Sequence, residues 1–179
     1  LSYFHSDRSN PKPSRSDISV MWDFAPHDIS IVNYLTDQAP FSVRAEGRRL
    51  FGSDVENLVN VSLAYPNDIS VFVHNSWTSL EKTRKLFVVG SKKRAIFDDV
   101  SSEKLKVFCP LGGKLDYHSA SNLVSPLENQ CREFFGCVTH RRKPLSDGYN
   151  GYINVKILES IQQSLKKNEK VKVEYRSEL

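Results

Sequence analysis

The chain has 179 residues, of which 39% are hydrophobic and 26% charged. That is enough for one domain with its own core, without metal or disulfide staples. No apolar run approaches the roughly 18 residues of a membrane-spanning helix, and the opening LSYFHSDRSN lacks a signal-peptide pattern; it reads like a strand entered partway. The net charge, 25 − 21 = +4, is scattered over Lys92-Lys93-Arg94, Arg141-Arg142-Lys143 and Lys166 to Lys172. No basic face with interleaved aromatics accompanies it, so neither nucleic acid nor membrane is an expected partner, and an anionic ligand stays open.

The start, residues 1–10, fits a strand with Tyr3, His5 and Asp7 on one side and Phe4, Ser6 and Arg8 on the other, although polarity does not separate the sides. Two prolines and three serines make residues 11–20 a loop. Trp22 to Tyr34 reads as a helix, with Pro26 expected in its first turn and Ile29, Val32 and Leu35 as the apolar stripe. The period then changes to two. Val59, Val61, Leu63 and Tyr65, a Pro66-Asn67-Asp68 turn, and Ile69, Val71 and Val73 predict a hairpin, with Pro66 at the first central turn position. Leu86–Gly90 and Arg94–Asp98 form a second pair, and Lys104–Cys109 alternates again, so that residues 40–109 read as an antiparallel meander.

Helical period returns at the end. Leu127, Cys131, Phe134 and Phe135 form one stripe, and Ile153, Ile157, Leu158, Ile161 and Leu165 another, predicting two covering helices over 125–166 before a closing strand at 170–174. This order predicts an α+β domain, an open and mainly antiparallel sheet with helices on one face. The three cysteines, Cys109, Cys131 and Cys137, lack CxxC spacing. Inert buried thiols in a reducing cytoplasm are the expectation, with no metal site. Asn60-Val61-Ser62 is a glycosylation sequon inside a strand pattern, expected to be chance. No GxGxxG is present, and Val88-Val89-Gly90-Ser91-Lys92 belongs to a hairpin rather than to a phosphate loop.

Asp23 and His27 lie four apart at the opening of the first helix, a spacing that returns both side chains to one face. A carboxylate beside an imidazole fixes its tautomer and is expected to raise its pKa, giving an acid–base near neutrality. A capping aspartate beside a partly exposed histidine has the same spacing, and spacing alone does not separate the two readings. Asp28 points elsewhere on the helix.

The stretch from Arg15 to Ser30, RSDISVMWDFAPHDIS, resembles the substrate-site motif of the Gfo/Idh/MocA family of oxidoreductases, within it the branch acting on nucleotide-linked sugars. The likeness continues through Asn75-Ser76-Trp77, Val88 to Lys92, Asp98-Asp99, Pro126-Leu127 to Cys131, and Pro144 to Gly148. It implies a glyceraldehyde-3-phosphate dehydrogenase-like C-terminal domain, residues 1–179, that supplies the sugar site while a separate Rossmann domain binds NAD or NADP. It further implies Asp23 and His27 as catalytic residues, His27 handling the sugar hydroxyl proton and Asp23 orienting it. Arg8, Asn10 and Arg15 become candidates for sugar or phosphate contacts, or solvated loop residues, and Trp22 a pocket wall or a core residue.

Three features depart from the family pattern. Glu81-Lys82-Thr83 stands apart from the catalytic Glu-Lys-Pro of the Rossmann half, Ser19 replaces a frequent glycine, and Gln130 a common glutamate. The expected function is the substrate-binding half of an NAD(P)-dependent dehydrogenase of a sugar or nucleotide sugar, inactive without its cofactor domain and dimerising through the sheet face. The alternative is a non-catalytic sugar-binding or dimerisation module.

Overall fold

The computed structural model describes residues 1–12, 15–108, 115–116 and 124–175. The elements run β1 (Tyr3–Ser9), α1 (Val20–Thr36), β2 (Ser42–Arg48), β3 (Leu58–Tyr65), β4 (Ile69–Ser76), β5 (Thr83–Val89), β6 (Arg94–Asp98), β7 (Leu105–Phe108), β8 (Leu115–Asp116), α2 (Pro126–His140), α3 (Gly148–Lys167) and β9 (Val171–Lys172). They form the expected α+β architecture, an open sheet ordered β8-β7-β6-β5-β1-β4-β3-β2-β9 with helices on one face.

Every pairing is antiparallel except one. β1 inserts between β4 and β5, parallel to the first and antiparallel to the second. The meander expected over 40–109 is therefore interrupted, because the chain from β4 to β5 must cross over β1. This insertion also explains the weak amphipathic signal of the first strand. A central strand is covered on one side by Phe4 and Ser6, both buried, while Tyr3 and His5 on the open side stack near Phe72 and Phe87. Neither face is simply wet.

β3 and β4 form the predicted hairpin, in register from Leu58↔Ser76 to Tyr65↔Ile69. Its turn is displaced by one residue from the expectation. Asn67 and Asp68 both have φ near +60°, and the Ile69 N–H donates to the Pro66 carbonyl, so Pro66 precedes the central pair. Two left-handed residues match the strand twist in a way that proline at a central position cannot. Val59, Val61, Leu63, Val71 and Val73 point into the core.

Over that face lie α1 and α3. α3 starts on a capping box, with Asp147 accepting from the Asn150 N–H and the Asn150 side chain accepting from the Asp147 N–H. Its Ile153, Ile157, Leu158 and Ile161 are buried, as the stripe predicts. α1 begins two residues earlier than expected, which moves Pro26 from the first turn into the helix interior. There the missing N–H leaves the Trp22 carbonyl without its helical donor. Leu35 also departs from its predicted stripe and is exposed; the buried side is Val20, Met21, Phe24, Ala25, Ile29 and Val32.

The largest departure is α2. Leu127, Phe134 and Phe135 form the stripe that the periodicity predicts, yet each is at least 70% exposed and no residue of the helix is buried. Only α3, of the two later helices, covers the sheet. Periodicity reports that a helix has an apolar side, and not that the side is packed. Cys131 shares this exposure, contrary to the buried thiol expected, whereas Cys137 is half-buried and burial raises its pKa. Cys109 lies outside the described residues.

Candidate active site

The site forms where the C-terminal end of β1 passes beneath α1. Sheet register puts Arg84 of β5, Arg8 of β1 and Asn75 of β4 side by side in one row. Cross-strand partners share a face, and Phe4 and Ser6, four and two residues before Arg8, are buried on the helix side, so this row faces α1. α1 is fixed above it by apolar contacts. Phe24 meets the buried Trp77 edge-on, with ring centroids 6.1 Å apart, and the Trp22 indole N–H donates to Gln162 of α3.

One turn after Phe24, Asp28 drops from α1 into the row. It is 3% exposed and accepts from Arg8 Nε at 3.1 Å and from Asn75 Nδ2 at 3.2 Å. Arg8 is itself 16% exposed, and no other group among the described residues takes its terminal nitrogens. Asn75 is fully buried and spends its second amide hydrogen on the His74 carbonyl, while its Oδ1 has no partner among the described residues. Burying a carboxylate is costly unless hydrogen bonds and an opposite charge replace water, and this arrangement provides both.

Asp23 and His27 occupy the outer side of the same helix. They share a face without a hydrogen bond between them, Asp23 half-buried and His27 exposed. The imidazole pKa lies below its ordinary 6.5, opposite to the rise expected from spacing. Desolvation is the main cause despite the exposed edge of the ring, and the Arg8 and Arg84 guanidiniums add to it against weaker support from Asp28 and Asp23. The cation row thus outweighs the carboxylates, and His27 rests neutral at physiological pH, able to accept a proton.

The other sequence candidates divide. Asn10 follows β1 directly, and its N–H donates to the Ser76 carbonyl, so it borders the row. Arg15 forms an exposed ion pair with Asp17 at 2.5 Å, within reach of the Asp23 charge. Trp22 sits in the seam between α1 and α3. Sequence reading passed over Asp28, Asn75 and Arg84. Asp28 carried a usable signal, since it stands four residues after Phe24 and four before Val32, both on the buried stripe. A carboxylate on a buried stripe demands a cation.

Among the described residues no glycine-rich phosphate loop opens a helix. The loop from β1 to α1 contains no glycine, and the N–H of Val20 at the start of α1 is already donated to the Glu56 carbonyl. Val88 to Lys92 are the end of β5 and its tight link to β6, where the Gly90 N–H donates to the Lys93 carbonyl. Among the described residues no group of His, Cys, Asp and Glu could hold a metal.

The chain is thus an open-sheet α+β domain with a helix-borne aspartate–histidine pair over a charged row, and its class follows from comparison with known proteins. The GFO/IDH/MocA C-terminal domain family matches residues 2–96, just over half of the chain, and the chain belongs to that family. Among solved structures it is similar to UDP-N-acetylglucosamine 3-dehydrogenase from Acidithiobacillus ferrooxidans, with a TM-score of 0.83 at 19% identity over 92% of this chain and 53% of that one. It is also similar to aldose-aldose oxidoreductase from Caulobacter crescentus, solved with glycerol, with a TM-score of 0.81 at 19% identity over 96% and 55%. Levoglucosan dehydrogenase in complex with NADH superposes with a TM-score of 0.78 at 14% identity over 98% and 59%. These identities establish the shared fold. Comparison with curated proteins gives no match. The chain spans between half and three-fifths of the length of these structures.

Proposed function

We propose that this chain is the substrate-binding half of an NAD(P)-dependent dehydrogenase acting on a sugar or nucleotide-sugar hydroxyl. The single observation that carries the reading is an accessible His27 beside Asp23, on a helix laid over the Arg8 row. In this reading His27 accepts the hydroxyl proton as the alcohol carbon is oxidised, and Asp23 steadies the resulting imidazolium. Arg8 and Asn10 border the space where the sugar lies, and Arg15 and Trp22 stand further out. Among the described residues no phosphate loop is present, and in this reading the oxidant is held by a separate Rossmann domain and the isolated chain does not turn over. We place the complete protein in the cytoplasm.

The test supplies that domain and follows reduction of NAD or NADP over a panel of sugars and UDP-sugars. His27→Ala should lower the rate by about 100-fold or more, the usual worth of a positioned proton acceptor. A wild-type pair that oxidises none of them, or a His27→Ala pair as active as wild type, overturns the reading. So does saturable NADH binding to this chain alone, followed through the fluorescence of Trp22 and Trp77.

The open sheet face favours a second role alongside the first. Tyr3, His5, Asn60, Phe72 and His74 line a shallow depression of about 620 Å³, with Phe72 42% exposed. Covering that face by a second copy accounts for the exposed ring, and a dimerisation or sugar-binding module without turnover is the remaining alternative. A strictly monomeric species in light scattering excludes the dimer.

A further inference from the structure

We propose that Arg8 and Arg84 form a two-guanidinium seat for an oxyanion of the substrate beside His27, and that Asp28 and Asn75 are the positioning residues that hold Arg8 in it. This rests on the dehydrogenase reading for the word substrate, but its geometry stands apart from turnover. Like charges directly opposite on adjacent strands destabilise a sheet, yet Arg8 and Arg84 are register partners on the helix side. Each is tied down separately. Arg8 gives its Nε to the buried Asp28, and Arg84 reaches Asp99 at 3.5 Å, a carboxylate that also takes Lys104 at 2.8 Å.

The manner of attachment matters more than the count. Asp28 takes Arg8 from the side, through Nε, and leaves the terminal nitrogens without a partner among the described residues. Those two nitrogens are the fork that receives a carboxylate or phosphate in two parallel bonds. Asn75 locks the other Asp28 oxygen, so that the carboxylate cannot rotate toward the fork. A pair that served stability alone would gain by a two-toothed contact, and here one tooth is withheld. The groups around His27 are Arg8, Arg84, Asp23 and Asp28, and both guanidiniums act on its titration. An anion seated between them reports itself there.

The experiment is an NMR titration of the imidazole of His27 in the full 179-residue chain. The probes are inorganic phosphate, D-glucuronate and, as a neutral control, D-glucose. Phosphate or glucuronate should shift the His27 resonances saturably and raise its titration midpoint, with glucose at least about tenfold weaker. Phosphate alone identifies a phosphorylated group as the anion, and glucuronate alone a sugar carboxylate. Arg84→Gln and Asp28→Asn should each weaken the anion by about tenfold or more, the worth of a charge-assisted contact. Where Asp28→Asn does not fold, Arg8→Lys replaces it, keeping the charge while removing the fork, with the same loss expected. No response of His27 to either anion in a folded chain overturns the seat, as does glucose binding equally well. Unchanged anion affinity in a folded Asp28→Asn overturns the positioning role. Since no cofactor or turnover enters, failure here leaves sugar oxidation by the reconstituted enzyme untouched, and loss of that oxidation leaves the seat standing.

Discussion

Replacing Ile161 by alanine and, separately, Phe134 by alanine asks which of the two later helices holds the sheet. Ile161 of α3 is fully buried and belongs to the core, whereas Phe134 of α2 is 72% exposed although it removes far more carbon. The carbons that isoleucine loses beyond Cβ are worth about 0.8 kcal/mol each, or roughly 2.4 kcal/mol in transfer energy. The cavity left behind a rigid sheet raises the loss to about 3–4 kcal/mol. An exposed phenylalanine on a free helix face should cost less than about 0.5 kcal/mol. Urea unfolding followed by circular dichroism reads both. With a slope of about 2 kcal/mol per M, the Ile161→Ala midpoint should fall by about 1.5–2 M, and the Phe134→Ala midpoint by less than about 0.3 M. A Phe134→Ala loss equal to that of Ile161→Ala would refute the assignment of α2 as an unpacked helix, and with it the inference that periodicity overstated the core.

Other outcomes are expected from single groups. Ser164 is buried, accepts from the Ala45 N–H at 2.9 Å and donates to the Glu169 carbonyl, joining the end of α3 to β2 beyond the reach of β9; Ser164→Ala should cost about 2 kcal/mol in urea unfolding, and a neutral result would mean water replaces the bridge. The Arg142 guanidinium holds the half-exposed Glu133 carboxyl down at about 2, against an ordinary 4.5, so Arg142→Ala should return its NMR titration toward the ordinary value. His27 has a folded pKa below 6.5, so the unfolded chain takes the proton first. Its contribution is complete above about pH 6.5 and is lost as the pH falls through the folded value; His27→Gln should therefore flatten the drop in melting temperature on going from about pH 7 to about 5.5.

Much of the fold was legible because the sheet is built from strands whose two faces differ. Val59 to Tyr65 and Ile69 to Val73 alternate cleanly, since α1 and α3 cover one side and the other stays open. α3 was legible for the same reason. The exceptions share a cause as well: each depends on a neighbour that local pattern does not name. β1 reads poorly because it lies between β4 and β5, with aromatic rings on its open side and Arg8 on its covered side. α2 reads too well, because an apolar stripe looks the same whether or not something lies against it.

The site divides along that line. Asp23 and His27 were named because helical spacing and a resemblance both speak of one helix, but the sign of the His27 shift was not read, because it is set first by burial and then by arginines on strands 19 and 57 residues away in sequence. Sequence proximity named Asp23 as the partner of His27. The sheet instead brings Arg8 and Arg84 close enough that their charges outweigh the carboxylates. A histidine governed by Asp23 would be protonated more readily; burial and the arginine row instead keep it neutral, the form that the proposed role as a base needs. Oxidising an alcohol requires a base. What keeps His27 unprotonated is therefore its burial together with the arginines of β1 and β5, and not the neighbouring Asp23.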